Sequence, residues 1–372
     1  MSSEIELDIP ALLAPFEGDS RGGQDLRESD DPNNSYRRIR DARNEAREEE
    51  RQADISGESH AEADRHWRDV WNEGQEYLQN VAKDLEIVAY MIEASIRLGR
   101  FSGLAQSLRL TKELVDAFWG EVLPTPDEDG IETTVRPISR MNGDVITYPL
   151  ARVPVTADTS IGELVVWQYV QAQQLESMGV EEREERVSRG AATLEMFNRA
   201  VAETPIEFYQ QLVTDLADVR AATTELRDAF VEKVGEEDAP FFSKFEAAYA
   251  DAENVVSKIA GDRLAAAEMD AADSSEAEGS AAAGEGGSGG SGSKSGGLGS
   301  REDAFAMLEN AARWFEKHEP QSILPSEIRK AIRRGRMNPE ELYRDLISDE
   351  AVRHQLYRDV GIEIQQEAEE YS

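Results

Sequence analysis

Apolar positions recur at helical spacing along most of the chain. In residues 85–98 (LEIVAYMIEASIRL), Leu85, Val88, Ile92 and Ile96 fall three or four apart, which predicts one face of a helix. Gly99 stands just beyond, where helices commonly end. Residues 101–123 resume the pattern until Pro124, since proline disfavours helix in the residue before it. The two stretches predict an antiparallel helix pair. Trp67 and Trp71 lie four apart and share a face in any helix that spans them. The helical period returns over 161–178, 181–201, 205–234 and 240–267. Between them, residues 124–160 carry Pro124, Pro126, Gly130, Pro137, Gly143, Pro149 and Pro154. That density of breakers predicts a long structured loop, with a short strand at 145–148. Residues 17–35 (EGDSRGGQDLRESDDPNNS) predict an irregular segment.

One composition shift divides the chain. Residues 266–300 are Gly, Ser, Ala and acid with few large apolar side chains, and cannot bury enough surface to offset ordering entropy. They predict a flexible tether with a root-mean-square reach of roughly 30–35 Å. The expected architecture is mainly α. It comprises an N-terminal helical domain over 1–175, acidic middle helices over 176–265, the linker over 266–300, a small helical domain over 301–364 and a tail over 365–372. So small a helical module has little core of its own, and oligomerisation is one standard remedy.

Charge and missing residue types narrow the function. Lys and Arg total 40 against 76 Asp and Glu, a net charge of −36 that repels phosphate backbones and anionic membrane surfaces. There is no cysteine, which excludes disulfides and thiolate chemistry. No apolar run approaches the ~18 residues of a membrane span, so a soluble cytoplasmic protein is expected. The Gly284-x-Gly286-x-x-Gly289 and Gly286-x-Ser288-x-Gly290 matches lie in the linker, without the strand and helix those motifs need. The four histidines, His60, His66, His318 and His354, form no ligand pattern. Asp127-Glu128-Asp129-Gly130 places its glycine fourth rather than sixth, so it predicts a turn, not a calcium loop. No catalytic residue, metal ligand or cofactor site emerges. The one concentrated basic run, residues 328–336, carries Arg329, Lys330, Arg333, Arg334 and Arg336. It reads either as a helix end paired with nearby acids or as a contact face for a subunit or partner.

Longer stretches carry a resemblance. Leu12-Leu13-Ala14-Pro15 followed by GDSRGGQDLR (18–27), then FWGEVLPTPDEDGIETTVRPISRMNGD (118–144) and YPLARVPVT (148–156), resemble the ImpA N-terminal domain of TssA proteins of the bacterial type VI secretion system. SREDAFAMLENAARWFEKHEP (300–320), RMNPEELYRDLI (336–347) and the closing VGI (360–362) are similar to the compact tail of short-form TssA proteins. The resemblance marks Asp25, Leu26, Arg27, Pro126, Asp127, Asp129, Gly130, Pro149, Leu150 and Pro154 as N-terminal motif residues. In the tail it marks Trp314, Phe315, His318, Glu319, Pro320, Leu342 and Leu346 as contact candidates, beside Arg329, Arg333, Arg334 and Arg336.

The resemblance implies a non-enzymatic scaffold. Its tail would form a homo-oligomeric ring, and its tethered N-terminal arms would act at the baseplate to promote tube and sheath assembly. The implied partners are a second copy of the chain and the baseplate, tube (Hcp) and sheath (TssB/TssC) components, together with the membrane complex at the inner face of the cytoplasmic membrane. Nucleic acid and membrane insertion are not expected. The alternatives are an ImpA-domain protein that caps or terminates the sheath and, in other classes, an acidic adaptor or chaperone, or a hydrolase with an unrecognised constellation.

Overall fold

The structure is a computed structural model that describes residues 5–18, 20–279, 301–318, 321, 323–337, 339–347 and 353. The chain divides into two compact units, Met1–Ala283 and Gly284–Ser372. It is predominantly helical. Among the described residues there is no β-strand, and extended pairing is confined to isolated bridges such as Gly23–Ala82 and Asp84–Leu123.

The N-terminal unit opens with α1 (Ile9–Leu12), α2 (Ser35–Ser56) and α3 (Ala61–Asn80). Asn34 caps α2 by accepting from the Arg37 backbone N–H at 3.0 Å. Gly57, with φ of 73°, ends α2 in the left-handed conformation that glycine adopts readily. The few buried residues of α2, Tyr36, Ile39, Ala46 and Ala53, form one stripe on an otherwise charged helix. On α3, Trp67 and Trp71 are both buried on the inner face.

The centre of the unit is α4 (Leu85–Phe118), buried on nearly every side. It is two helices joined by a reversal at Arg100, whose φ of 54° and ψ of −142° break the helical path. Two observations show that the halves run antiparallel. The Leu85 backbone N–H donates to the Leu123 carbonyl at 2.8 Å, so the hairpin ends where it began. Past the turn, a Cβ on Gly103 would lie 2.7 Å from the Ser95 carbonyl oxygen, so only a hydrogen there permits the close approach. The helix pair predicted on either side of Gly99 is therefore present, with its break one residue later.

Around this hairpin come α5 (Ile131–Ser139), α6 (Asp144–Ala151), α7 (Val166–Glu176), α8 (Val180–Ser188), α9 (Leu194–Glu203), α10 (Ile206–Val234) and α11 (Ser243–Gly279). Helix α10 packs along α4, and α11 lies against α10, α6, α7 and α9. Residues expected to form a separate middle region thus share one unit with the ImpA-like residues.

Several local expectations are corrected. The expected loop at 124–160 contains α5 and α6, and the expected strand at 145–148 lies inside α6. Ile146, Pro149 and Leu150 are buried at i, i+3 and i+4, a helical spacing that outweighs the breaker count. Residues 181–201 form two helices, separated near Gly190 with its φ of 93°. Helix α11 continues through residues 266–279, which the composition assigns to the tether; residues 280–300 lie outside the described residues.

The second unit contains α12 (Arg301–His318), α13 (Leu324–Arg336) and α14 (Pro339–Leu346). Among its described residues only Ala312, Pro325 and Ile332 are buried.

The close approach at Gly103 generates a stability prediction. Gly103→Ala gains helix propensity but pushes a methyl against a backbone carbonyl, so it should destabilise the full chain by about 1–2 kcal/mol in urea unfolding. An unchanged or raised midpoint would contradict the packed hairpin.

Candidate functional site

The site begins with two glycines. A Cβ on Gly22 would lie 2.1 Å from the Glu121 carbonyl oxygen, and one on Gly23 2.2 Å from that of Val81. Residues 22–23 therefore thread between the end of α3 and the end of α4, where no side chain fits. Backbone bonds from Lys83 N–H to the Gly22 carbonyl (2.7 Å) and from Gln24 N–H to the Val81 carbonyl (3.0 Å) fix the segment. Beneath it, the Lys83 ammonium is buried and donates to the carbonyls of Leu12 (2.7 Å) and Leu78 (2.6 Å), its pKa lowered to about 8 by burial.

This threading delivers Arg27 to the first turn of α4. Its Nη2 donates to Asp84 Oδ1 at 2.9 Å and Glu86 Oε2 at 3.0 Å, and its Nη1 to Asp25 Oδ1 at 3.1 Å. The guanidinium also stacks 4.7 Å from the Tyr36 ring centroid. Asp84 is fully buried and caps α4 by accepting from the Glu86 N–H at 2.9 Å. Burial raises the Asp84 carboxyl above its ordinary value, against the opposing pull of Arg27. Burial also works against the Arg27 charge, but Asp84 holds it above its ordinary value. Glu86 is moved the other way. Burial disfavours its charge, yet hydrogen bonds from Tyr90 (2.7 Å), Tyr36 (2.9 Å) and Arg27 keep its pKa below the usual carboxylate value.

The same interface continues as a ladder of charge between α2 and the first half of α4. Arg43 Nε and Arg47 Nε donate to the two oxygens of buried Glu93 at 2.7 and 2.8 Å. Arg97 makes a two-point pair with Glu50, both bonds 2.7 Å, and stacks 4.1 Å from the Trp67 ring. The matching order, Tyr36 to Glu86, Arg43 and Arg47 to Glu93, then Glu50 to Arg97, shows that the two helices run parallel.

A cleft of about 270 Å³ opens beside this ladder. Arg27, Arg43, Glu86 and Glu93 form its polar wall, and Ala89, Pro124, Pro137, Met141 and Val145 contribute apolar surface. Arg136 and Arg140 line the side supplied by α5 and its end. The Asp127–Gly130 segment is the expected turn: Gly130 N–H donates to the Asp127 carbonyl at 3.0 Å and Asp129 N–H to Asp127 Oδ1 at 2.9 Å. The Thr133 hydroxyl, with the Asp129 N–H, lowers the Asp127 pKa. Asp129 pairs with Arg136 at 3.0 Å.

The structure thus brings Asp25, Arg27, Asp127, Asp129 and Gly130 to one region through Arg27 and Arg136. Leu26 packs against the core and Pro126 is exposed. Pro149 and Leu150 are buried in α6, while Pro154 bridges to Val165, so these three serve packing rather than the cleft. Arg43, Glu93, Arg136 and Arg140 were not singled out as candidates from the sequence. The signal available for one of them, Glu93, was its place seven residues after Glu86 within the apolar stretch 85–98.

In the second unit, Arg329 pairs with Glu309 (3.3 Å) and Glu316 (2.7 Å), and Arg333 and Arg334 both reach Asp345. Arg336 lies 5.1 Å from the Phe305 ring. The basic run is therefore largely engaged within its own unit. Trp314 is 53% exposed and meets Phe315 edge-on at 5.2 Å; Leu342 is half-buried and Leu346 exposed. His318 closes α12, and Glu319 and Pro320 lie outside the described residues. His354 and the 360–362 motif also lie outside them. His60 meets Asp54 and His66 meets Glu45, and among the described residues no group of three His, Asp or Glu side chains is placed to hold a metal ion.

The Glu86 network makes a pH prediction. A carboxylate with a lowered folded-state pKa contributes stability that is full above its unfolded value and lost as pH falls through the folded value. Glu86→Gln should cost about 2 kcal/mol at neutral pH, and the gap from wild type should close below about pH 4.5 in urea unfolding. A gap constant from neutral pH to about pH 3.5 would show that the ionised form of Glu86 adds nothing.

Comparison with known proteins accords with this geometry. Residues 13–143 match the family model for the ImpA N-terminal region of type VI secretion systems. That span contains the glycine-threaded segment and every cleft-lining residue except Val145. No curated protein matches the chain. Among solved structures, the chain is similar to the N-terminal domain, including the conserved ImpA_N region, of the TssA component of the type VI secretion system from Burkholderia cenocepacia. The match has a TM-score of 0.59 and 25% identity, covering 70% of this chain and 96% of that one. It reaches beyond the 131 residues of the family model into the helices that follow, consistent with one continuous N-terminal unit. On these findings residues 13–143 carry the ImpA N-terminal region of type VI secretion systems, and the N-terminal unit is similar in fold to the N-terminal domain of a TssA component.

Proposed function

We infer that this protein is a TssA-type component of a type VI secretion system, a non-enzymatic assembly scaffold that associates with itself through its C-terminal unit. Its N-terminal units then act as arms toward the baseplate, tube and sheath, at the inner face of the cytoplasmic membrane. The observation that supports this reading is the exposure of large apolar side chains in a unit with few buried positions among its described residues. Met307 is 51% exposed, Ile323 75% and Leu346 51%, with Leu308 and Leu324 also above 40%. Small helical modules need compensation for so limited a core, and association is one way to supply it. Self-association buries that surface, and linking several arms to one assembly raises the effective concentration of weak contacts.

Light-scattering mass tests this directly. The full chain should be a closed oligomer, whereas a chain ending at Gly297 should be a monomer or dimer. Ile323→Glu, which places a charge on an exposed apolar position, should shift the full chain toward smaller species without loss of helix content. Equal masses for the full and shortened chains would overturn the reading.

A further inference from the structure

We propose that the cleft between α2, α4 and α5 is a docking site for an acidic, extended segment of a partner protein, in which a carboxylate side chain neighbours an apolar one. Arg27 is held by Asp84, Glu86 and Asp25, and Arg43 by Glu93, all at hydrogen-bonding distance within the wall. These two define a rigid back surface and have little left to offer.

The two arginines from α5 and its end differ. Arg136 pairs with Asp129 and Glu132, whose side chains are 59% and 72% exposed. Exposed pairs of this kind are worth roughly 0–1 kcal/mol, so the guanidinium is easily redirected to a better-placed carboxylate. Arg140 is exposed, and among the described residues its side chain has no ion pair or hydrogen bond. An arginine pair on one side of a cleft is suited to grip a carboxylate by charge-assisted bonds.

The remaining surface sets the second half of the specificity. Ala89 and Met141 are 4% and 5% exposed and, with Pro124, Pro137 and Val145, offer apolar contact next to the arginines. A volume of about 270 Å³ is at the small end for a ligand pocket and suits one or two side chains rather than a folded element. A nucleic acid is the poorer occupant. The net charge of −36 repels a polyanion, whereas one carboxylate in an apolar context meets mainly the local field.

The test uses the full chain and a fluorescein-labelled peptide of alternating Glu and Leu, read by fluorescence anisotropy at low salt. Wild type should bind it, and the counterpart with Gln for every Glu should bind roughly tenfold more weakly or worse. Arg140→Glu should weaken binding by tenfold or more, and Arg136→Glu with Arg140→Glu should abolish it. Raising ionic strength to about 0.3 M should reduce binding in wild type. Because the Arg140 side chain has no partner to lose, its variant should keep the wild-type thermal midpoint, which separates lost docking from misfolding.

Absence of peptide binding, equal binding of the Gln peptide, or indifference to Arg140→Glu would each overturn the proposal. So would preferential binding of a labelled single-stranded oligonucleotide. Peptide binding that emerges only after residues 365–372 are removed would assign the cleft to this chain's own acidic tail and overturn the partner assignment. The proposal does not rest on self-association: a monomeric chain that binds the peptide leaves it standing, and an oligomer that ignores the peptide defeats it alone.

Discussion

The ion pair between Arg27 and Asp84 is the constraint on which the N-terminal unit turns. Asp84 sits fully buried at the start of α4, where its side chain also caps the helix. A buried carboxylate without a partner costs several kcal/mol, so the fold must bring a cation to it. The cation comes from a segment 57 residues earlier, which reaches the site only by passing between two backbones at Gly22 and Gly23. Backbone bonds at the same point, Leu85 to Leu123 and Leu123 to Lys83, close the α4 hairpin. One residue neighbourhood thus joins the N-terminal segment, both ends of the central hairpin and the start of the cleft.

From that point the charge ladder extends along α2 and α4. Glu86, Glu93 and Arg97 interrupt the largely apolar first half of α4, and each meets an opposite charge or a tyrosine hydroxyl from elsewhere. Removing one member of such a pair costs more than the pair itself is worth, because the survivor is left desolvated. The arrangement therefore fixes register more than it adds stability. It holds α2 parallel to the first half of α4 and leaves the cleft with a preset wall. The mobile chemistry is left to Arg136 and Arg140, where exposure makes a change of partner inexpensive.

Much of this was legible in the sequence, and the failures have physical causes. Helical spacing located the α4 pair, α10 and α11, because long apolar periods leave few alternatives. It failed at 124–160, where prolines and glycines suggested a loop. Those residues instead sit in short helices whose buried positions, Thr134, Val135 and Ile138 in α5 and Ile146 and Leu150 in α6, keep the helical period. The motif residues Arg27 and Asp129 could be marked but not joined, since their segments are related in space only through the cleft that Arg27 and Arg136 both line. Arg140 was invisible because its significance is the absence of a partner, which only coordinates reveal. The two units, by contrast, part inside the Gly/Ser-rich stretch, where composition alone signals a lack of core.

With self-association proposed for one unit and partner docking for the other, the two should respond separately to one perturbation. Hydrogen–deuterium exchange on the full chain and its Ile323→Glu variant measures both units at once. Faster exchange in α12 and α13 of the variant, with α4 and the residues around Arg27 unchanged, is the predicted result. Identical exchange in both chains across 301–347, or a loss of protection that spreads into α4, would contradict the division of labour.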